Sequence, residues 1–451
     1  MHRHAAIALA LSAAFFSLPA SAADSTKPLT GKDAFVTWKE AAPGVRYLIK
    51  PGDLPAPFAT EAASNAPGLV PMPQGAKPTV PAGFSVDLVA DGFEQPRVIR
   101  PAPNGDLFVA DSSANTITVL RMAKDSAKPA EKSVFATDLN QPYGIAFYPQ
   151  KDPQWVYVAN SDSVVRFPYK SGDLKATGKA EEIISNIPAN HHWTRDIVFS
   201  PDDKTLYLSV GSGSNIAEDV TGLPDGGIDK FAASHPLGEM WGAEEGRADV
   251  LAFDPDGKNR RVVATGIRNC SGMTIQPANG ALWCVTNERD GLGDNLAPDY
   301  ATTVKDGAFY GWPWYYIGSN EDPRAPLKGQ RPDLKGKVTV PDVLFQAHSA
   351  PLGITFYEGS MFPAEYKDDA FVAMHGSWNR GNRTGYKVVR LFFKDGKPTG
   401  EYQDFMTGFV VSADSVWGRP VGVTVAEDGS LYVTEDGAGT IWRVSHDEKP
   451  S

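Results

Sequence analysis

DIVFSPDDKTLYLSVG, residues 196–211, contains two short runs of apolar and β-branched residues joined by a Pro-Asp-Asp turn, the pattern of a tight β-hairpin. The same pattern recurs along the chain. VIRPAPNGDLFVAD begins at Val98, GIAFYPQKDPQWVYVAN at Gly144 and GMTIQPANGALWCVTNE at Gly272. GITFYEGSMFPAEYKDDAFVAMHG follows at Gly353 and GVTVAEDGSLYVTEDG at Gly422, making six copies. Further runs such as TITVLR and TIWRVS offer a third strand after a copy. All-β units repeating at roughly 45 to 80 residues predict a six-bladed β-propeller, with loops filling the longer intervals. A β-sandwich with insertions competes less well, because sandwiches do not require copies in register. The segment Phe84 to Val89 has no unit of its own. It is expected to supply the outer strand of the last blade and so remove an open sheet edge.

Composition agrees with this reading. Of 451 residues, 43 are Gly and 36 Pro, which suits a turn-rich β fold. A formal net charge of −11 argues against a nucleic-acid partner, since phosphates reward clustered Lys and Arg. The first residues, MHRHAAIALALSAAFFSLPASAAD, combine a basic start, an apolar run and the small residues Ala20-Ser21-Ala22. They read as a secretory signal peptide over residues 1–22, which predicts a periplasmic or secreted protein. No cysteine follows the apolar run, and no later stretch approaches about 18 apolar residues, so no membrane anchor is expected. Residues 23–80, rich in Pro, Ala and Ser, are expected to form an irregular arm, with the propeller over 81–448. Cys270 and Cys284 flank a turn that would bring them nearly opposite each other, so a disulfide is expected, two buried thiols being the alternative.

Setting the copies in register brings the residues that open each first strand to one end of the central channel. They are Arg97; Gln141 and Tyr143; His192, Trp193 and Arg195; Arg268 and Asn269; His348; and Trp417 and Arg419. Four arginines converging in an acidic protein would repel one another unless compensated, which predicts a compact polyanionic ligand. The alternative is that each pairs with a carboxylate of a neighbouring blade, although Asp196 is the one acid among these openings. His192 is placed to act as a general base, with His191 as its outward-facing neighbour. A structural imidazole bonded to backbone is the competing reading for His192 and His348.

The loop after the fourth copy, TNERDGLGDNLAPDYATTVKDGAFYGWPWYYIG, carries Asn287, Glu288, Asp290, Asp294 and Asp299 among glycines. These offer the oxygen ligands that Ca²⁺ accepts, without EF-hand spacing. Its aromatic run Tyr310 to Tyr316 offers either a planar surface for a flat ligand or a sugar, or blade packing. No nucleophile elbow, phosphate loop, dinucleotide fingerprint or zinc motif stands out.

HHWTRDIVFSPD, GIRNCSGMTIQPANGALW, NERDGLGDNL, FYGWPWYYIG, MHGSWNR and GRPVGVTVAEDGSLYVTEDGAGTIWRV together resemble the glucose/sorbosone dehydrogenase family from about Pro81 onward. These are soluble quinoprotein sugar dehydrogenases that use pyrroloquinoline quinone (PQQ) and Ca²⁺ on a six-bladed propeller. The resemblance implies His192 as the base and Arg268, also catalytic, with Asn269 beside the quinone. It implies Gln141, Arg195, Arg380, Trp417 and Arg419 as further cofactor contacts, and Asn287, Glu288, Arg289 and Asp290 as the metal loop acting through backbone carbonyls. Ser212 stands where the glucose dehydrogenases have an aspartate that orients the histidine, Trp417 replaces one arginine of a pair, and Arg380 or Arg383 replaces a lysine. These departures place the chain nearer the sorbosone branch. The implied reaction is hydride transfer from a sugar or polyol to PQQ, with electrons leaving to a separate acceptor, since CxxCH for an attached haem is absent. A metal-dependent lactonase, which would want carboxylates at the blade openings, and a non-catalytic binding propeller are the other classes.

Overall fold

The computed structural model describes residues 27–124, 126–324 and 328–446. Six antiparallel sheets form a ring. Blade I comprises Pro96–Pro101, Leu107–Asp111, Thr116–Met122 and Pro129–Ala136, in that order from the channel outward. Blade II comprises Gly144–Tyr148, Trp155–Ala159, Val164–Pro168 and Glu181–Ile184. Blade III begins with Ile197–Phe199 and Leu206–Val210, blade IV with Cys270–Ile275 and Leu282–Thr286, and blade V with Pro351–Phe356 and Ala370–Met374. Blade VI takes Pro420–Val425, Leu431–Glu435 and Thr440–His446, and its outer strand is Phe84–Ala90 from the start of the propeller. Val444 pairs with Val86 and Arg443 with Asp87, so the expected ring closure is observed.

The glycine that begins most copies has a physical reason. The first strands of successive blades touch one another around the channel, backbone against backbone. A Cβ on Gly422 would lie 2.4 Å from the Arg97 carbonyl oxygen, one on Gly272 2.4 Å from that of Leu352, and one on Gly353 2.5 Å from that of Val421. Asp196 takes this place in blade III, where its carboxylate accepts the Met273 N–H of blade IV at 2.7 Å.

Apolar side chains pack mainly between neighbouring sheets. Phe108 and Phe135 of blade I meet Ile145 and Val156 of blade II, and Tyr157 and Val164 of blade II meet Ile197 and Leu206 of blade III. Burying one such side chain stabilises the fold by about 1.5–3 kcal/mol, so the ring is held by many small inter-blade terms.

The arm is more ordered than its composition suggests. Arg46–Leu48 adds a strand to blade V, with Tyr47 opposite Tyr402 and its hydroxyl donating to Asp404 at 3.0 Å. Gly68–Leu69 runs parallel to Ser415–Val416. Backbone pairing, which composition does not encode, orders these short stretches, while most of residues 27–80 has no regular secondary structure. The expected signal peptide, residues 1–22, lies outside the described residues. No helix among the described residues is long and apolar enough to cross a membrane. Cys270 and Cys284 form a disulfide, although the register sets Cys284 opposite Met273 and Cys270 opposite Thr286.

Candidate active site

The blade openings and the residues that follow each second strand meet at one end of the channel. They enclose a cavity of about 420 Å³, within the ~300–1,000 Å³ range of small-molecule sites. Arg97, His191, His192, Trp193, Arg268 and Asn269 line it from blades I, III and IV. Asn287, Glu288, Asp290 and Asp299 come from the loop after blade IV's second strand, and His348, His375 and Trp378 from blade V.

His192 is fixed by the turn after the second strand of its own blade. Its Nδ1 lies 2.9 Å from the Ser212 carbonyl oxygen and 3.0 Å from Ser212 Oγ, whose proton goes to the Ser214 carbonyl at 2.7 Å. A carbonyl only accepts, so Nδ1 carries the ring proton and Nε2 keeps its lone pair for the cavity. Burial, with the nearby charges of Arg268 and His191, holds the His192 pKa well below the usual imidazole value. Ser212 thus orients the ring through its backbone carbonyl as well as its hydroxyl. Gly211 makes the arrangement possible, because a Cβ there would lie 2.5 Å from Asn269 Oδ1 and 2.7 Å from His192 Cβ.

His348 is a different kind of histidine. Its Nε2 donates to the Gly293 carbonyl at 3.0 Å and its Nδ1 faces Asp290 Oδ1 at 3.3 Å. Burial alone would lower its pKa, but the hydrogen bond and charge of Asp290 outweigh it and raise the value, so both nitrogens are committed. His375 donates Nε2–H to Asp436 at 2.7 Å, and burial with the Arg419 charge pushes its pKa down to about 4. Burial pushes the Asp299 carboxyl up to about 7 while it accepts the backbone N–H groups of Glu288 and Ala350. His191 and His348 hold left-handed backbone, with φ of 63° and 66°, where non-glycine residues are uncommon.

Several expected contacts fall elsewhere. Gln141 is exposed and does not line the cavity. Arg195 turns back to the carbonyls of Pro188, His192 and Thr194. Arg380 braces the Asp294 and Val36 carbonyls, and Trp417 packs with Phe409 and Trp442 while its indole N–H donates to Gly408. Arg419 lies behind His375, donating to its carbonyl at 3.2 Å. Arg289 is fully buried between Glu288 and Asp322. His191, expected to face outward, is exposed and also lines the cavity, its ring 4.3 Å from that of His192. Tyr310, Trp312, Trp314 and Tyr315 are buried, so the aromatic run serves packing.

The cavity's cations are compensated by acids that the blade openings do not contain. Arg97 Nη1 meets Asp436 Oδ2 at 2.5 Å, and Arg268 Nη2 meets Asp290 Oδ2 at 3.5 Å. The residues fit a planar, anionic quinone nonetheless. Arg97 and Arg268 bring two guanidinium groups to its lining, and Trp193 and Trp378 bring two indole rings.

Calcium does not fit the loop as arranged. The Asn287 and Glu288 carbonyls accept from Arg268 at 3.3 and 2.9 Å, and the Asp290 carbonyl accepts from Asn215 and Arg324 at 3.1 and 2.6 Å. The Glu288 carboxylate is bound to Arg289 at 2.7 Å, and no group of three His, Cys, Asp or Glu side chains among the described residues is arranged for a metal.

The model of the TrAA12-like family matches residues 78–304 and 332–447. A pyrroloquinoline quinone-dependent pyranose dehydrogenase of Coprinopsis cinerea is 24% identical over 426 residues, covering 82% of this chain and 54% of the relative. This chain therefore spans about half the length of that protein. A protein of Borreliella burgdorferi is 28% identical over 383 residues, covering 82% of this chain and 91% of its own. Among solved structures, the holo form of the Coprinopsis pyranose dehydrogenase PQQ domain superposes with a TM-score of 0.66 at 22% identity, covering 85% of this chain and 100% of that one. The calcium structure of the Trichoderma reesei enzyme of Carbohydrate-Active Enzymes Family AA12 gives 0.67 at 19% identity, covering 82% and 97%. Structural likeness at this identity establishes the shared propeller, and the family match over most of the sequence establishes that this chain belongs to the TrAA12-like family, among relatives that include PQQ-dependent sugar dehydrogenases.

Proposed function

We propose that the protein is a PQQ-dependent oxidoreductase that oxidises a sugar, aldose, sorbosone-like compound or related polyol, exported to the periplasm or beyond the cell. The observation that carries the reading is the His192 Nδ1–H held at 2.9 Å by the Ser212 carbonyl, which leaves Nε2 unprotonated beside a cavity with paired arginines.

When bound, PQQ supplies a two-electron oxidant that accepts the hydride of the substrate carbon. Arg97 and Arg268 would hold it through the positive charge they bring to the cavity wall, with the Asn269 amide beside them. His192 Nε2 takes the proton of the substrate hydroxyl as the carbon–hydrogen bond breaks, so that a CH–OH group becomes a carbonyl. The depressed pKa keeps His192 neutral and ready at pH 7. Trp378, 47% exposed on the cavity lining, supplies an apolar face at the substrate's approach. Electrons then pass to a separate acceptor.

The test is to add PQQ to the apo-protein and follow quinone absorbance as sugars are supplied. Bleaching that stops in His192→Ala while PQQ still binds is the expected result. Absence of PQQ binding would sink the reading.

A further inference from the structure

Behind the cavity, one buried arginine ties together the two segments that hold His192. Arg247 is 2% exposed and does not line the cavity. Its Nε donates to the Gly211 carbonyl at 3.1 Å and its Nη2 to the Ser212 carbonyl at 3.0 Å. The same guanidinium reaches the chain just before the histidine pair, with Nη1 donating to Asn190 Oδ1 at 2.5 Å and Nη2 to the Asn190 carbonyl at 2.6 Å. A guanidinium is planar and carries only donors, so it fixes the acceptors around it in one plane.

The Ser212 carbonyl has two lone pairs, and they serve two donors: the His192 ring and Arg247. Turning this peptide would break both bonds at once. Glu244 completes the unit, accepting Gly213 N–H at 2.7 Å and the Ser214 hydroxyl at 2.5 Å, with Oε2 at 4.0 Å from Arg247 Nε. Ser214 in turn receives the Ser212 hydroxyl proton, which removes the one alternative donor to the imidazole.

We propose that Arg247, set by Glu244, is the positioning residue that locks His192 in its Nδ1–H form, doing through a backbone carbonyl what an acidic side chain behind a histidine does directly. The proposal rests on the reading of His192 as the base. A carbonyl in this role orients the ring without placing a negative charge beside it, and the charged and titratable groups acting on His192 are Arg268, His191 and Arg247. Arg247 touches neither cavity nor substrate, so it acts on His192 through the geometry of the Ser212 carbonyl, with its charge as the smallest of the influences on the ring.

The test has two readouts on Arg247→Met, Arg247→Lys and Asn190→Ala. The first is the ¹⁵N resonance pattern of the His192 ring in apo-protein, which reports the tautomer without any turnover. The second is kcat and KM after reconstitution with PQQ. Arg247→Met is expected to populate the Nε2–H form and lower kcat about ten- to a hundredfold with KM changed less than about twofold. Arg247→Lys should recover part of the loss. Asn190 is exposed, so its replacement tests the clamp even if Arg247→Met does not fold. A ring that stays wholly Nδ1–H in all variants that fold overturns the proposal. A shifted tautomer with unchanged kcat leaves the positioning role standing and removes His192 as the base.

Discussion

Arg97 Nη1 and Asp436 Oδ2 lie 2.5 Å apart with both side chains almost fully buried, and the second oxygen of Asp436 holds His375. One carboxylate therefore masks the cation that the cavity offers to an anionic ligand. Burial alone would raise the Asp436 pKa, but His375 and Arg97 drive it far below the usual carboxylate range, so the masking persists throughout the physiological range. Removing either partner should shift quinone affinity in opposite directions. Arg97→Ala is expected to weaken PQQ binding and Asp436→Asn to strengthen it, each by about tenfold, measured by fluorescence titration. Changes of the same sign would show that Asp436 acts as scaffold alone.

His192 sets the second expectation. Since burial lowers its pKa, the neutral form that accepts a proton persists well below pH 6.5. The acid limb of kcat/KM should have its midpoint clearly below 6.5, with activity rising with pH through that midpoint. His192→Ala should cost about 10²–10⁴ in kcat while PQQ affinity stays within about twofold. A midpoint at or above 6.5 that vanishes in His192→Ala would contradict the buried, cation-flanked setting.

The residues legible in the sequence are those locked to the repeat. His192, Arg268 and Asn269 stand a few positions before the first strand of their copies, and the ring places such positions at one end of the channel. Arg195 sits in the same stretch, but carbonyls of its own loop take its two terminal nitrogens, a contact invisible to register. The missed groups follow the second strands: His375 and Asp436 line or brace the cavity from there. A signal existed, because Asn287, His375 and Asp436 stand at one register, each directly after the second strand of its copy. Arg247 carried none, since it lies in the long insertion of blade III and acts on backbone atoms.

Blade III also holds a destabilising pair. Asp249 is fully buried beside Glu239, and burial first, then the Glu239 charge, raises its pKa well above the usual carboxyl range. The folded state thus keeps a proton that the unfolded chain releases above about pH 4, so stability falls as pH rises from there toward the folded pKa. Asp249→Asn removes this term. The variant should gain about 1–3 kcal/mol near pH 8, less at lower pH, and nothing near pH 3 by calorimetry. An equal change at every pH would assign the effect to packing.

The loop after blade IV gives a prediction about metal. Arg268 donates to the carbonyls of Asn287 and Glu288 and sets its positive charge beside them, so Ca²⁺ must compete with a guanidinium to bind there. Millimolar Ca²⁺ is therefore expected to leave the melting temperature of the apo-protein unchanged, and chelator to have no effect on it. A ligand that binds only the folded state raises stability by mass action, so a rise of several degrees would show that the loop opens for the ion.

Three glycines separate fold from site. Gly422 permits the backbone contact between blades VI and I, whereas Gly211 permits the approach of Asn269 and His192. A methyl group on Gly422 meets a rigid carbonyl at 2.4 Å, so Gly422→Ala should loosen the ring and lower stability by several kcal/mol, of the order of other overpacked positions or more. Gly211→Ala instead meets Asn269 Oδ1 at 2.5 Å and His192 Cβ at 2.7 Å, so the clash falls on the two cavity residues themselves. Its kcat and PQQ affinity should fall together while the melting temperature drops less than in Gly422→Ala. Gly52→Ala, where no atom lies within 4 Å, should change neither. If Gly211→Ala keeps full turnover, the close approach of His192 and Asn269 is not required for the reaction.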